Sequence, residues 1–375
     1  NMTDFSGDNT GDLDNQQADT RVRLFYTAAL SDEIKLVTAF EMDAIYGDTG
    51  SGESERGDIG ADGVTVEVKH AYADINQGDF NLKLGTQPIT LARGFLFDDD
   101  FSGAVVTYMH EDMNIPLFWV KAYEGGTGDD ANDFDVDYYG VNPTFTLGDI
   151  QLNPVLIYIK SKDAQNWGST VDFEALELYF LGVSLDYSQD MFSLWFTGIY
   201  EGGKKDELAS GDEQDVAASL AALGGSFDMD MLSVHAQTFY ASGDDDADDN
   251  DATDFFVPKG QSYYWSEIMG YGLIDEVVSS GSPADAITNI MVFNIGVTVP
   301  LGKLALMFDI WNANLVEDNA AGDRALGTEF DLAASYQMKE NLKLQAVAAY
   351  LAAGDATGGG DEDPMAVGAQ ISLSF

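Results

Sequence analysis

From residue 20 to the C-terminus the chain alternates two kinds of connection, and no other feature restricts its fold as much. Segments of about ten residues, the length of a tilted membrane-crossing strand, are joined in turn by a tight turn and by a long acidic stretch. The tight connections fall at 31–33, 76–79, 110–114, 148–149, 188–191, 228–231, 301–303 and 337–341. The long ones fall at 47–63, 89–101, 125–135, 161–172, 202–214, 243–289, 314–325 and 352–364. Within the segments the period is two, not 3.6. In the last, Met365, Val367, Ala369, Ile371, Leu373 and Phe375 share one face, and Ala366, Gly368, Gln370, Ser372 and Ser374 the other. A soluble sandwich also alternates polarity, but it has no reason to gather its long connections at one end. An all-β, transmembrane, antiparallel up-and-down β-barrel does.

This partition predicts 17 strands, at 20–30, 34–46, 64–75, 80–88, 102–109, 115–124, 136–147, 150–160, 173–187, 192–201, 215–227, 232–242, 290–299, 304–313, 326–336, 342–351 and 365–375. An odd count leaves the two ends of a bacterial barrel on opposite sides. The polar opening stretch carries no basic-then-apolar leader and reads as a processed or truncated start. The expected barrel therefore has 18 strands, one preceding Asn1, with 16 as the fallback if 102–109 or 115–124 is not a strand. Residues 1–375 form one barrel domain in this reading, and 243–289 is a long extracellular loop folded over or into the pore.

Composition removes several functions. A formal charge of -48, from 65 Asp and Glu against 17 Lys and Arg, excludes nucleic-acid binding, which needs a basic surface to displace counterions. Without cysteine there is no thiolate metal site and no disulfide. No apolar run reaches the roughly 20 residues of a membrane helix. His70, His110 and His235 fall in or beside different strands without a G-x-S-x-G or H-E-x-x-H context, and Ser233 is the nearest nucleophile to any of them. The chain reads as no enzyme and requires no cofactor.

Tyrosines gather at both ends of the predicted strands, as at the two faces of a hydrocarbon layer. Tyr46, Tyr123, Tyr158, Tyr200, Tyr240 and Tyr350 lie near the ends with long connections, and Tyr72, Tyr108, Tyr187 and Tyr336 near the ends with tight turns. The terminal strand ending in Phe375, with Ile371 and Leu373 at alternate positions, resembles the signal by which the barrel-assembly machinery accepts its clients. The stretches LGTQPITLARGFLFDDDFSGAVV at 84–106 and YYWSEIMGYG at 263–272 resemble segments of the homotrimeric outer-membrane porins of sulfate-reducing bacteria. The resemblance implies a homotrimer in the bacterial outer membrane, in contact with lipid and lipopolysaccharide, with its loops extracellular and its turns and C-terminus periplasmic. Passive diffusion of small hydrophilic solutes and ions is the implied activity.

Alternation places Arg21, Arg23, Lys35, Lys69 and Lys83 on the polar, lumen-facing side of the first four strands. Either they form a basic wall that orients solutes, or they are lumen charges paired with Glu41, Asp43 and Glu67. Constriction candidates come from two loops. The first supplies Arg93, Asp98, Asp99 and Asp100; the second, whose aromatic half is the favoured one, supplies Tyr263, Tyr264, Trp265, Glu267 and Tyr271. The expected channel is weakly cation-selective, because acidic loops concentrate cations at its mouth. The alternative is a structural barrel that encloses or scaffolds another protein, such as a cytochrome. Asp244, Asp246 and Asp248 resemble the start of a calcium loop but lack its glycine and distal glutamate, so a weakly bound Ca2+ and a solvated acidic loop both remain open.

Overall fold

The computed structural model describes residues 17–48, 55–57, 59, 66–125, 135–161, 173–207, 213–246, 250–270, 272, 286–357 and 363–375. Seventeen strands follow one another as a meander: β1 Asp19–Ala29, β2 Ile34–Tyr46, β3 Glu67–Gln77, β4 Phe80–Leu91, β5 Phe97–His110, β6 Met113–Tyr123, β7 Val136–Val141 resuming at Thr144–Leu147, β8 Ile150–Ser161, β9 Phe173–Gln189, β10 Phe192–Glu207, β11 Glu213–Asp228, β12 Ser233–Ala241, β13 Ile290–Leu301, β14 Leu304–Leu315, β15 Ala325–Lys339, β16 Leu342–Ala353 and β17 Met365–Leu373. Each pairs antiparallel with its sequence neighbours. Two short segments, Glu55–Gly57 and Asp251–Ala252, add parallel to β2 and β11.

Both segments on which the smaller count depended, 102–109 and 115–124, are strands. Among the described residues β1 pairs with β2 alone and β17 with β16 alone. An odd number of antiparallel strands makes these two edges run the same way. The strand expected before Asn1 lies outside the described residues.

The alternation has the sense that the sequence implies. Along β17, Val367, Ile371 and Leu373 are 63–74% exposed, while Ala366 is buried. Along β10, Phe192, Leu194, Phe196 and Tyr200 are exposed, and Thr197, Ile199 and Glu201 are buried. The wholly apolar side thus faces outward, which suits lipid and not water. Two tyrosines depart from the expected girdles. Tyr72 turns inward beside His70, with the Lys83 ammonium 5.7 Å from its ring, and Tyr123 packs against the buried interior. A bulge between Lys121 and Tyr123 accounts for the second by reversing the parity there.

Candidate functional site: the crossed lumen

Register shows where the wall opens. Pairing of β3 with β4 ends at Ala71↔Thr86, and pairing of β5 with β6 ends at Gly103↔Val120. The β4–β5 pairing nevertheless continues to Leu91↔Phe97. The outer end of this hairpin has therefore left both neighbours. Glycine permits the departure, since a Cβ on Gly85 would lie 2.2 Å from the Ala71 carbonyl oxygen and one on Gly103 2.0 Å from that of Trp119. The buried Gln87 amide donates to the carbonyls of Lys83, Gly85 and Gly103, satisfying acceptors at the bend. What the loop lengths suggested as an irregular stretch at 89–101 is a continuation of two strands around a tip at 92–96.

The tip crosses the barrel. Ala92, Arg93 and Gly94 all have positive φ, and the Arg93 guanidinium pairs with Asp186 of β9 and lies 4.7 Å from the Trp195 ring of β10. Replacing Arg93 by alanine removes both contacts and is expected to lower the thermal stability of the folded barrel slightly while increasing current noise. Arg93→Lys should rescue less than half of the effect, because an ammonium keeps the charge but loses the planar stack on Trp195. Unaltered behaviour of Arg93→Lys would show that charge alone holds the tip.

A second segment, 252–270, lies across the hairpin. The Asp98 amide donates to Gly260, the Ser262 amide to Gly94, and the Gln261 side chain to the Phe95 carbonyl. The approach is so close that a Cβ on Gly94 would lie 2.1 Å from the Ser262 oxygen. Phe95 stacks on Tyr263 with centroids 3.9 Å apart, and Phe239 of β12 meets both rings. The Tyr263 hydroxyl donates to Gln237 of β12, and burial raises its pKa, against the pull of Arg93, so that it stays a donor. Trp265 packs between Phe239 and Trp311 of β14.

Two wall carboxylates hold this segment. Glu201 of β10 accepts from the Phe256 amide at 2.8 Å, and Glu329 of β15 accepts from Ile268 and Met269 at 2.6 and 2.9 Å. Both glutamates are fully buried. Glu267 is also buried, and Tyr264 is half exposed; Tyr271 lies outside the described residues.

The remaining sector of the lumen is ionic. Arg21 pairs with Asp43 at 2.8 Å, Arg23 pairs with Glu41, and Lys69 lies 3.6 Å from Glu41 and 3.2 Å from Asp100 of the hairpin. His70 meets the other oxygen of Asp100 at 2.9 Å. The structure thus brings Arg21, Arg23 and Lys69 together around Glu41 and against Asp100. Lys83 stays at Tyr72 and Lys35 is exposed near the turn end of β2. Asp98, held by Thr90, and Asp99 are exposed on the hairpin. Below the hairpin, a cavity of about 420 Å³ is bordered by Asn81, Lys83, Gln87, Thr90 and Asn114.

Sequence reasoning did not single out Glu201, Glu329, Gln237, Asp186 or Trp195. The first two carried a readable signal: an acidic residue in mid-strand on the face that turns inward. For the others no local signal distinguishes a residue that meets a loop from one that meets water. His235 bonds Asp309 at 2.7 Å, whereas the Ser233 hydroxyl turns to Asp228. Asp244 caps the Asp246 amide and receives the Thr253 hydroxyl, while Asp248 lies outside the described residues. Among the described residues no group of three His, Asp or Glu has the arrangement of a metal cage.

A membrane-type meander whose interior is crossed by its own segments defines an outer-membrane β-barrel of porin architecture. The likeness extends to solved structures. The outer membrane protein OprD of Pseudomonas aeruginosa superposes with a TM-score of 0.55 at 12% identity, over 95% of this chain and 88% of that one. OpdK of the same species, solved with vanillate, gives 0.60 at 13%, over 95% and 92%, and OccAB4 of Acinetobacter baumannii gives 0.60 at 10%, over 98% and 93%. At such identities the shared property is the fold. No protein-family pattern and no curated protein matches the sequence.

Proposed function

We propose that this protein is a passive outer-membrane channel for small hydrophilic solutes and ions. The single observation that carries the reading is the joint crossing of the lumen by the β4–β5 hairpin and segment 252–270. Both pack on the apolar wall from β6 to β16 and leave the Arg21, Arg23, Glu41, Lys69 and Asp100 sector as the polar remainder. A barrel of this strand number is too wide to be filled by wall side chains alone. Water beside this charged cluster then provides the path, with Asp100 of the hairpin joined directly to Lys69 and His70 of the wall. The reading needs no cofactor. A barrel enclosing a second protein is disfavoured by the same observation, because the chain's own segments occupy the interior.

Homotrimeric assembly, kinship with the porins of sulfate-reducing bacteria and insertion through the strand ending at Phe375 belong to this proposal. So does an orientation with long loops outside. Planar-bilayer recording tests the channel: three equal conductance steps are expected, and a reconstituted, folded protein that stays silent would refute it. Weak cation selectivity is the second expectation. Replacing Arg23 and Lys69 together by alanine should move the zero-current potential in a salt gradient further toward cations, since two positive charges leave while Glu41 and Asp100 stay, beside Arg21 and His70. No movement would place these residues outside the ion path.

A further inference from the structure

On the inward face of β15 two carboxyl groups stand two residues apart, those of Glu329 and Asp331, and a third, that of Glu267, comes to them on the crossing segment. None of the three residues is more than 5% exposed. Both oxygens of Glu329 are occupied by the Ile268 and Met269 amides. Asp331 accepts from the Glu267 amide and stands within hydrogen-bonding reach of Glu329. Two carboxylates, which only accept, cannot make that bond; a carboxylate and a carboxylic acid can. One Asp331 oxygen, Oδ1, is moreover buried with no donor against it. Burying that oxygen on an anion is costly, and burying it on a neutral acid much less so.

The surroundings do not offset a second negative charge. Opposite Asp331 on β14 stands Asp309, which accepts from Asn294 of β13 at 2.9 Å and meets His235 of β12 at 2.7 Å. Trp311 of β14 is opposite Glu329, and on β16 the apolar Leu351 and Ala349 face Glu329 and Asp331. Asp355, in the short helical turn after β16, is exposed. Arg324, just before β15, pairs instead with Glu317 and Asp318, and among the described residues neither Glu329 nor Asp331 makes a salt bridge.

We propose that Asp331 and Glu329 share one proton, forming a latch that holds segment 252–270 across the lumen at neutral pH and releases it in alkaline solution. Loss of the proton sets two anions against each other directly beneath the Ile268 and Met269 amides, with Glu267 and Asp309 on either side. Once the segment lifts, water reaches both acids and each ionises separately. The closed state thus holds one proton more than the open one, so latching is complete at low pH and is lost as pH rises. A widened pore as the consequence rests on the channel reading above; the shared proton does not.

Infrared difference spectroscopy of the full-length protein between neutral and strongly alkaline pH, combined with single-channel recording, tests the latch. A protonated-carboxyl C=O band that disappears on alkalinisation is expected, together with a conductance increase of at least about twofold as the narrowest section widens. Asp331→Asn keeps a donor toward Glu329 but has no proton to lose, so it should lack that band and stay at the low conductance throughout. Lysine and tyrosine titration persists in this variant and is thereby separated from the latch. Glu329→Gln should move both changes to lower pH, because Asp331 then faces no anion. Heat-modifiable electrophoretic mobility identifies the folded form of each variant. An alkaline rise in conductance that survives in Asp331→Asn would overturn the proposal, as would a wild-type spectrum with no band that this variant removes. A band that titrates as expected in a protein that never conducts would uphold the shared proton and refute the channel instead.

Discussion

Excision of residues 255–270, with residues 254 and 271 rejoined through a short glycine–serine linker, should raise single-channel conductance at least about twofold, because the narrowest aqueous section dominates the resistance of a wide barrel. The effect is expected to be large because the segment is packed and not draped. Phe255, Ile268 and Met269 are no more than 1% exposed, and each fully buried side chain of this size contributes roughly 1.5–3 kcal/mol. Thermal opening of the intact segment is correspondingly rare. Its removal also strips the β4–β5 hairpin of the Gly94–Ser262 and Asp98–Gly260 hydrogen bonds and of the Phe95–Tyr263 stack. The hairpin tip should then fluctuate, visible as added open-channel noise. Shortening the tip at 92–96 instead should give a smaller increase, since Trp265, Ile268 and the Glu329 anchor remain. Unchanged conductance with weakened trimers after the excision would assign the aromatics to subunit contact and end the constriction reading.

The second large effect concerns the wall glutamates. Glu329→Ala deprives two buried amides, those of Ile268 and Met269, of their acceptor, at about 1–3 kcal/mol for each. Hydrogen exchange at these two amides should accelerate by a factor of at least about ten. Adding Glu201→Ala releases the other end at Phe256, so the double variant should approach the conductance of the excised protein. Glu329→Gln keeps a carbonyl acceptor and should lose only part of the protection, which separates hydrogen bonding from charge. If Glu329→Ala leaves exchange at 268 and 269 unchanged, the packing of Trp265 and Ile268 anchors the segment without the carboxylate.

The positions of β1 to β17 were legible because a lipid-facing wall imposes a rule on every second residue, and that rule is written locally. Ile371, Leu373 and Phe375 are apolar for the same reason that Phe192, Leu194 and Phe196 are: each faces the same apolar surroundings whatever the rest of the chain does. The alternation of short and long connections is equally local. Two of the expected tyrosine positions failed, at Tyr72 and Tyr123. A bulge, which no period of two announces, reversed the parity at the second, and the first stands on an inward position opposite Gly85.

The interior was legible only in part. Arg93 and the aspartates at 98–100 stood out as charges in a connection otherwise rich in apolar residues, and the aromatics at 263–265 stood out as surface that water would not favour. Their partners did not stand out. Arg93 meets Asp186 across 93 residues of sequence, and Phe256 meets Glu201 across 55. Strand period, connection length, net charge and the outward aromatic tendency follow from residues acting on their own neighbourhood, so the sequence by itself determined a membrane barrel and its direction of alternation. Where β4 and β5 leave the wall, which carboxylates receive the crossing segment, and which acid of β14 stands opposite Asp331 were decided by tertiary structure alone. Those contacts depend on register and barrel closure, and both are properties of many strands at once.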